Sequence, residues 1–248
     1  MAINVNTVYR TVLLLLNKEQ RGYMTPTEFN SIANQVQLEI FEQYFSDLNQ
    51  QLRVPQADVD YADRIASIDE KLSVFKTFGA PTFVATAGTI PAHFTLPTVD
   101  AFGDNTSVHQ LGEVVYTSVT NSTVELERLG RTTFYNIQRS QLTASTLSFP
   151  TYLYENQKIF VSPSSIINNL EINYVRQPRN VTWGFDVGTT LGQYTYNASS
   201  SLDFELMSSE QTTVILKVLF YAGLVIEDPT VIQVAAQQVQ SQEINKKS

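Results

Sequence analysis

The 248-residue sequence contains no cysteine. Disulfides and thiolate metal sites are thereby excluded, which fits a protein folded in a reducing cytoplasm. Charge is also scarce, at 16% of residues, where about 25% is usual for a globular chain. The net charge of −8 is spread evenly and no segment is basic, so a phosphate-binding face for nucleic acid is not expected. Nucleotide and hydrolase signatures are missing: there is no G-x-G-x-x-G, no glycine followed by lysine, and no G-x-S-x-G. Long apolar runs are missing too. Residues 12–16 follow Arg10 but are too short for a signal-peptide core, so no targeting segment is expected. Residues 214–226, interrupted by Lys217, are too few to span a bilayer and read as a buried helix.

The residues that are present can build a core. Hydrophobic residues make up 43% of the chain and aromatic residues 11%. Ser, Thr, Asn and Gln fill much of the remaining surface. Such a surface tolerates close contact with neighbours, because little charge must be desolvated.

The pattern along the chain divides into three parts, 1–80, 81–204 and 205–248. The first is helical. Asn6 or Thr7 is placed to cap a helix ending near Lys18, and Gly22 breaks the chain. Thr25-Pro26-Thr27-Glu28 has the form of a capping box with proline in the first turn. Behind it Phe29, Ala33, Val36, Ile40 and Tyr44 recur at helical spacing, and Pro55 interrupts the pattern. A third helix is expected over 58–78, ended by Gly79 and Pro81. The middle part is rich in Thr, Val, Tyr and Phe. Strands are expected at 82–86, 92–96, 113–118, 123–129, 151–155, 158–162 and 170–176, with a tight turn at Asn156-Gln157, a short helix over 132–141, and a loop over 184–201. The last part returns to helix, capped by Ser208 or Ser209 and broken at Asp228-Pro229, with a further helix over 230–242 and a polar tail. Together these predict an α+β fold. The N- and C-terminal helices pack as a bundle, with a large antiparallel β-rich insertion between them.

No residue pattern points to catalysis, a cofactor or a metal. His93 and His109 are the two histidines, and neither lies in a nucleophile motif, so both read as structural. Asp58, Asp60 and Asp63 match no calcium-loop spacing and read as an acidic first helical turn. Asp100 and Asp104 flank Gly103 and read as a solvated turn, with a calcium site as the sharper alternative. Gly184, Gly188 and Gly192 read as turn formers. Asn105, Asn121, Asn180 and Asn197 begin N-x-S/T triplets that such a composition produces by chance. Tyr152, Tyr154, Tyr174 and Trp183 fall in or beside the best strands. They read as sheet packing, with a sugar-stacking platform or an interface core as alternatives.

Residues 6–30, N-T-V-Y-R-T-V-L-L-L-L-N-K-E-Q-R-G-Y-M-T-P-T-E-F-N, resemble the start of virion proteins of tailed bacteriophages, especially crAss-like phages. So do 35–53, Q-V-Q-L-E-I-F-E-Q-Y-F-S-D-L-N-Q-Q-L-R, and 172–183, I-N-Y-V-R-Q-P-R-N-V-T-W. The resemblance is to neck ring, or head-tail adaptor, proteins that lie between portal and tail. It implies a structural, non-enzymatic virion protein made in the host bacterial cytoplasm. It also implies a twelve-fold homo-oligomeric ring contacting the portal and other neck or tail proteins. DNA would pass through the lumen without sequence-specific binding, and no membrane or cofactor is involved. The polar end 240–248 would dock on the portal. A tail-associated carbohydrate-binding or host-recognition module is the competing expectation.

Overall fold

The computed structural model describes residues 2–18, 24–53, 59–88, 90–99, 107–118, 122–188, 193–226, 236–238 and 240–241. Strand β1 (Ala2–Ile3) leads into helices α1 (Val5–Lys18), α2 (Pro26–Arg53) and α3 (Val59–Ser73). Six strands follow: β2 (Lys76–Gly79), β3 (Thr82–Val84), β4 (His93–Thr95), β5 (Val108–Thr117), β6 (Thr123–Glu125) and β7 (Glu127–Arg128). Helix α4 (Arg131–Arg139) precedes β8 (Thr151–Glu155), β9 (Lys158–Ser162) and β10 (Leu170–Arg176). Then come β11 (Phe185–Val187), β12 (Tyr194–Tyr196), β13 (Phe204–Met207) and α5 (Gln211–Ile226). The fold is mixed α+β.

The chain forms two compact units. The helical unit comprises Met1–Val74 and Pro178–Ser248, and the sheet unit comprises Phe75–Gln177. The expected boundaries at 80/81 and 204/205 therefore move to 74/75 and 177/178. The first shift has a clear cause. Residues 76–79 are a strand and not the end of the third helix, because Thr77 and Gly79 alternate inward with Lys76 and Phe78 outward. This strand pairs antiparallel with β10, from Ile172 opposite Gly79 to Val175 opposite Lys76.

In the sheet unit a four-stranded sheet, ordered β2-β10-β5-β6, and a five-stranded sheet, ordered β3-β4-β9-β8-β7, share one core. Leu111, Val114 and Ile172 of the first meet Phe94, Tyr152 and Ile159 of the second. Gly112 lies where the β5–β10 register shifts, and a Cβ there would come within 2.9 Å of the Asn173 carbonyl oxygen. The expected strand 123–129 is broken at Leu126, which turns into the core at 2% exposure. The hairpin β8–β9 forms at the expected turn, and both turn residues, Asn156 (φ 51) and Gln157 (φ 58), are left-handed.

In the helical unit α5 packs on α1 and α2, and α3 on α2. The cap of α1 is Asn4, not Asn6 or Thr7. Its Oδ1 accepts from Thr7 N at 3.0 Å, while Val5 N donates to Asp203 at 2.8 Å. The capping box of α2 forms as expected. Thr25 N donates to Glu28 at 2.9 Å, and Glu28 N to Thr25 Oγ1 at 3.4 Å. The bonds donated to it by Thr25 N and then Thr25 Oγ1 hold the exposed Glu28 carboxyl below the usual carboxylate range, so the cap is complete above that range and weakens as pH falls through it. A strand, β13, and a single 3₁₀ turn precede α5 where only a helix cap was expected. The expected helix over 230–242 is helical at 236–238 and 240–241. Its other residues, the tail 242–248, Gly22, Pro55, Asp58, Asp100, Asp104, Asn105, Asn121, Gly192 and the side chains of Asp60 and Asp63 lie outside the described residues.

Gln157 occupies a backbone conformation that costs a residue with a Cβ about 1 kcal/mol. Gln157→Gly is therefore expected to stabilise the sheet unit by about 1 kcal/mol, read as a raised thermal midpoint.

Candidate interaction surfaces

Helix α2 holds the returning chain with side-chain amides. Asn30 Oδ1 accepts from Trp183 N at 2.7 Å and its Nδ2 donates to Trp183 O at 3.3 Å. Asn34 repeats this with Val181, at 2.6 and 3.1 Å. Gln37 Nε2 donates to Arg179 O at 2.7 Å and its Oε1 accepts from Glu205 N at 2.9 Å. The spacing explains the match. Four helical residues advance about 6 Å and two extended residues about 6.6 Å, so one amide per turn meets every second residue. The helix thus supplies the ladder partners that a neighbouring strand would otherwise supply. The signal in the sequence was three amides at i, i+4 and i+7 beside the apolar face of a helix, Gln37 among them at 2% exposure.

The ladder fixes Trp183 against Tyr9, with centroids 4.4 Å apart, and its indole Nε1 donates to Asn6 at 3.2 Å. From Trp183 the aromatic contacts continue to Phe185 and Tyr196, and from Phe185 to Tyr194. These residues belong to the hairpin β11–β12, which occupies part of the segment expected to be a loop. Alternating Phe, Val and paired Tyr residues favour the extended state there. Gly184 starts the hairpin under close approach, since a Cβ would lie 2.1 Å from Ser200 Oγ. Gly188 N donates to Gln193 O at 2.9 Å across the hairpin.

Two ion pairs brace the helices. Lys217 on α5, with a side chain 6% exposed, donates to Glu39 on α2 at 2.6 Å, and Tyr221 donates to the other Glu39 oxygen at 3.0 Å. Burial, then the bond to Glu39, pushes the Tyr221 hydroxyl pKa up. Lys71 meets the buried Glu210 at 2.7 Å. The Lys71 ammonium lies 5.7 Å from the Tyr44 ring centre. The Tyr44 hydroxyl is buried without a hydrogen-bond partner among the described residues, and burial, then Glu210, pushes its pKa well up.

The other candidate residues are scattered. His93 is buried on β4, its Nδ1 donating to Pro91 O at 2.9 Å and its ring against Phe160. His109 is on β5, in the other sheet. Among the described residues, no group of three His, Asp or Glu could hold a metal ion, and no helix is long and apolar enough to cross a membrane. Asn180 is exposed, whereas Asn197 caps a 3₁₀ turn through Ser199 N and donates to Asp186. Tyr152, Tyr174 and Trp183 are core residues at 3–4% exposure, and Tyr154 lies under Arg128, so the four rings form no open stacking platform. An open groove of about 340 Å³ runs beside Arg128, Arg131, Tyr154 and Glu155. Between α4 and β8, Leu142, Leu147 and Phe149 are exposed large apolar side chains.

Two measurements test the helical unit. Gln37→Met keeps the side-chain size but orphans Arg179 O and Glu205 N; it is expected to cost about 2–4 kcal/mol in urea unfolding, whereas Gln35→Met on the exposed face stays within about 0.5 kcal/mol. Lys217→Met leaves Glu39 half-exposed and bonded to Tyr221, and is expected to be neutral within about 1 kcal/mol; Glu39→Leu strands a buried ammonium and is expected to cost about 3 kcal/mol or more in the same assay.

No protein-family model matches the chain, and no curated protein is detectably similar to it in sequence.

Proposed function

We propose that this chain is a structural subunit of the neck of a tailed phage, where twelve copies form a ring bridging portal and tail. The helical unit would serve as a bundle forming the wall of the ring, with the sheet unit carried as an insertion. The observation that supports this reading most is the junction of the segments that carry the resemblance. Residues 6–30, 35–53 and 172–183 lie far apart in sequence, yet Asn30, Asn34 and Gln37 bond to 179–183, the second half of the last segment, and Tyr9 packs on Trp183. Parts of all three segments therefore meet within the helical unit, while 172–177 belongs to the sheet unit. Long amphipathic helices braced by ion pairs make a stiff wall, and a surface rich in Gln, Asn and Thr suits hydrogen-bonded, water-containing contacts between subunits. The burial of Tyr152, Tyr174 and Trp183 gives the carbohydrate-binding alternative no platform in those rings.

Electron microscopy of the purified protein and of the particle tests the proposal. The expected result is a closed ring at the head-tail junction. A chain that stays monomeric and is missing from the particle would sink it. Truncation after Val239 is expected to abolish docking to the portal and to leave ring formation intact. Unchanged docking would remove the tail from that role.

A further inference from the structure

Residues 131–150 form an ordered stretch that exposes its large apolar side chains. Leu142 is 94% exposed, Phe149 79%, Leu147 50% and Tyr135 38%. Helix α4 is anchored by Phe134, which is 3% exposed. Beyond it, Thr143 N donates to Ser140 Oγ at 3.4 Å and Phe149 N to Thr146 O at 3.1 Å, and the hydroxyls of Ser145 and Thr151 meet at 2.7 Å. A backbone held this way, with its leucines and phenylalanine outward, is the pattern of a surface that another protein covers.

Charge identifies the cover. The stretch 131–150 contains Arg131 and Arg139 and no carboxylate; Arg131 lies 3.7 Å from Glu155 of β8, which leaves Arg139 as its principal exposed charge. The sheet unit as a whole has six basic and seven acidic residues, whereas the helical unit has ten and seventeen, so the helical unit holds nearly all of the net charge of −8. Exposed apolar side chains in a stretch that contributes arginines and no carboxylate complement that acidic unit.

We propose that the segment 131–150 of one copy docks on the helical unit of the next copy. This docking rests on the homo-oligomeric reading above and sharpens it. Two different surfaces meet, so the contact is heterologous. Repeated, such a contact does not stop at a two-fold dimer, and it makes a ring when its rotation closes.

Sedimentation and cross-linking test the docking. Leu142→Ser with Phe149→Ser, and separately Arg139→Glu, change exposed side chains, so their thermal unfolding should coincide with that of the wild type. Each is expected to weaken self-association at least about tenfold. Wild-type association should also weaken at about 1 M salt, where exposed charges are screened within about 3 Å. The chain has no cysteine, so Leu142→Cys carries a unique photo-cross-linker. In an equal mixture of ¹⁵N-labelled and unlabelled chains it should capture peptides of the helical unit from the other isotope. Wild-type-like association of the variants, or capture of the sheet unit, overturns this docking and leaves the ring reading standing. A wild-type chain that stays monomeric overturns this docking, and one that is also missing from the particle overturns both.

Discussion

Buried backbone groups must be paired, and in the helical unit that requirement falls on three side chains of one helix. The extended stretch 179–183 bridges to Leu202 through Thr182 on one edge, and on the other Asn30, Asn34 and Gln37 take the place of a ladder. Much else follows from their spacing. They set the register of the returning chain, which turns Trp183 onto Tyr9 and starts the hairpin β11–β12 at Gly184. Gln37 also reaches Glu205 N, and Glu205 in turn clamps Arg179 through its backbone N and side-chain Nε, both at 2.8 Å. A slip of two residues along the strand would leave at least one amide facing nothing, so polar satisfaction specifies this arrangement more sharply than apolar burial could.

The two units solve different problems. The helical unit combines an apolar core with charges that meet opposite partners, Lys217 with Glu39 and Lys71 with Glu210. The sheet unit is nearly neutral, and its two sheets close over one apolar cluster. Large aromatic residues serve both interiors, which is why a chain with so much tyrosine and phenylalanine presents few of those rings as an open platform.

Elements whose specification is local were legible in the sequence. The Thr25–Glu28 box, the Asn156-Gln157 turn and the alternating strands 151–155, 158–162 and 170–176 need only near neighbours, and all three strands have their expected bounds. Elements specified from a distance were not. Residues 76–79 read as the end of a helix because their strand partner lies about a hundred residues on, and the preceding helix α3 masks their period of two. Asn4 displaces the local cap candidates because Asp203 holds Val5 N. The hairpin in 184–201 was hidden by three glycines, although its aromatic pairs were visible. Nor were the interaction surfaces legible. Amides at i, i+4 and i+7 look like a solvated stripe until a chain is laid against them, and Leu142 and Phe149 look like core residues until nothing packs on them.

The ends of the sheet unit have a bearing on how the molecule reaches its fold. Arg176 N donates to Phe75 O at 2.9 Å, joining the first residue of the sheet unit to its next-to-last. The chain therefore leaves and re-enters the helical unit at almost one point. If the sheet unit remained unfolded, joining 178–183 to α2 would require closing a loop of about a hundred residues, at an entropic cost of about 4 kcal/mol beyond the constant term. Once the sheets have formed, that loop is already closed, and the amides of α2 meet a segment delivered on a short tether. The order of events is thereby biased: the sheet unit acts as an internal template whose completion makes the last pairing of the helical unit nearly local.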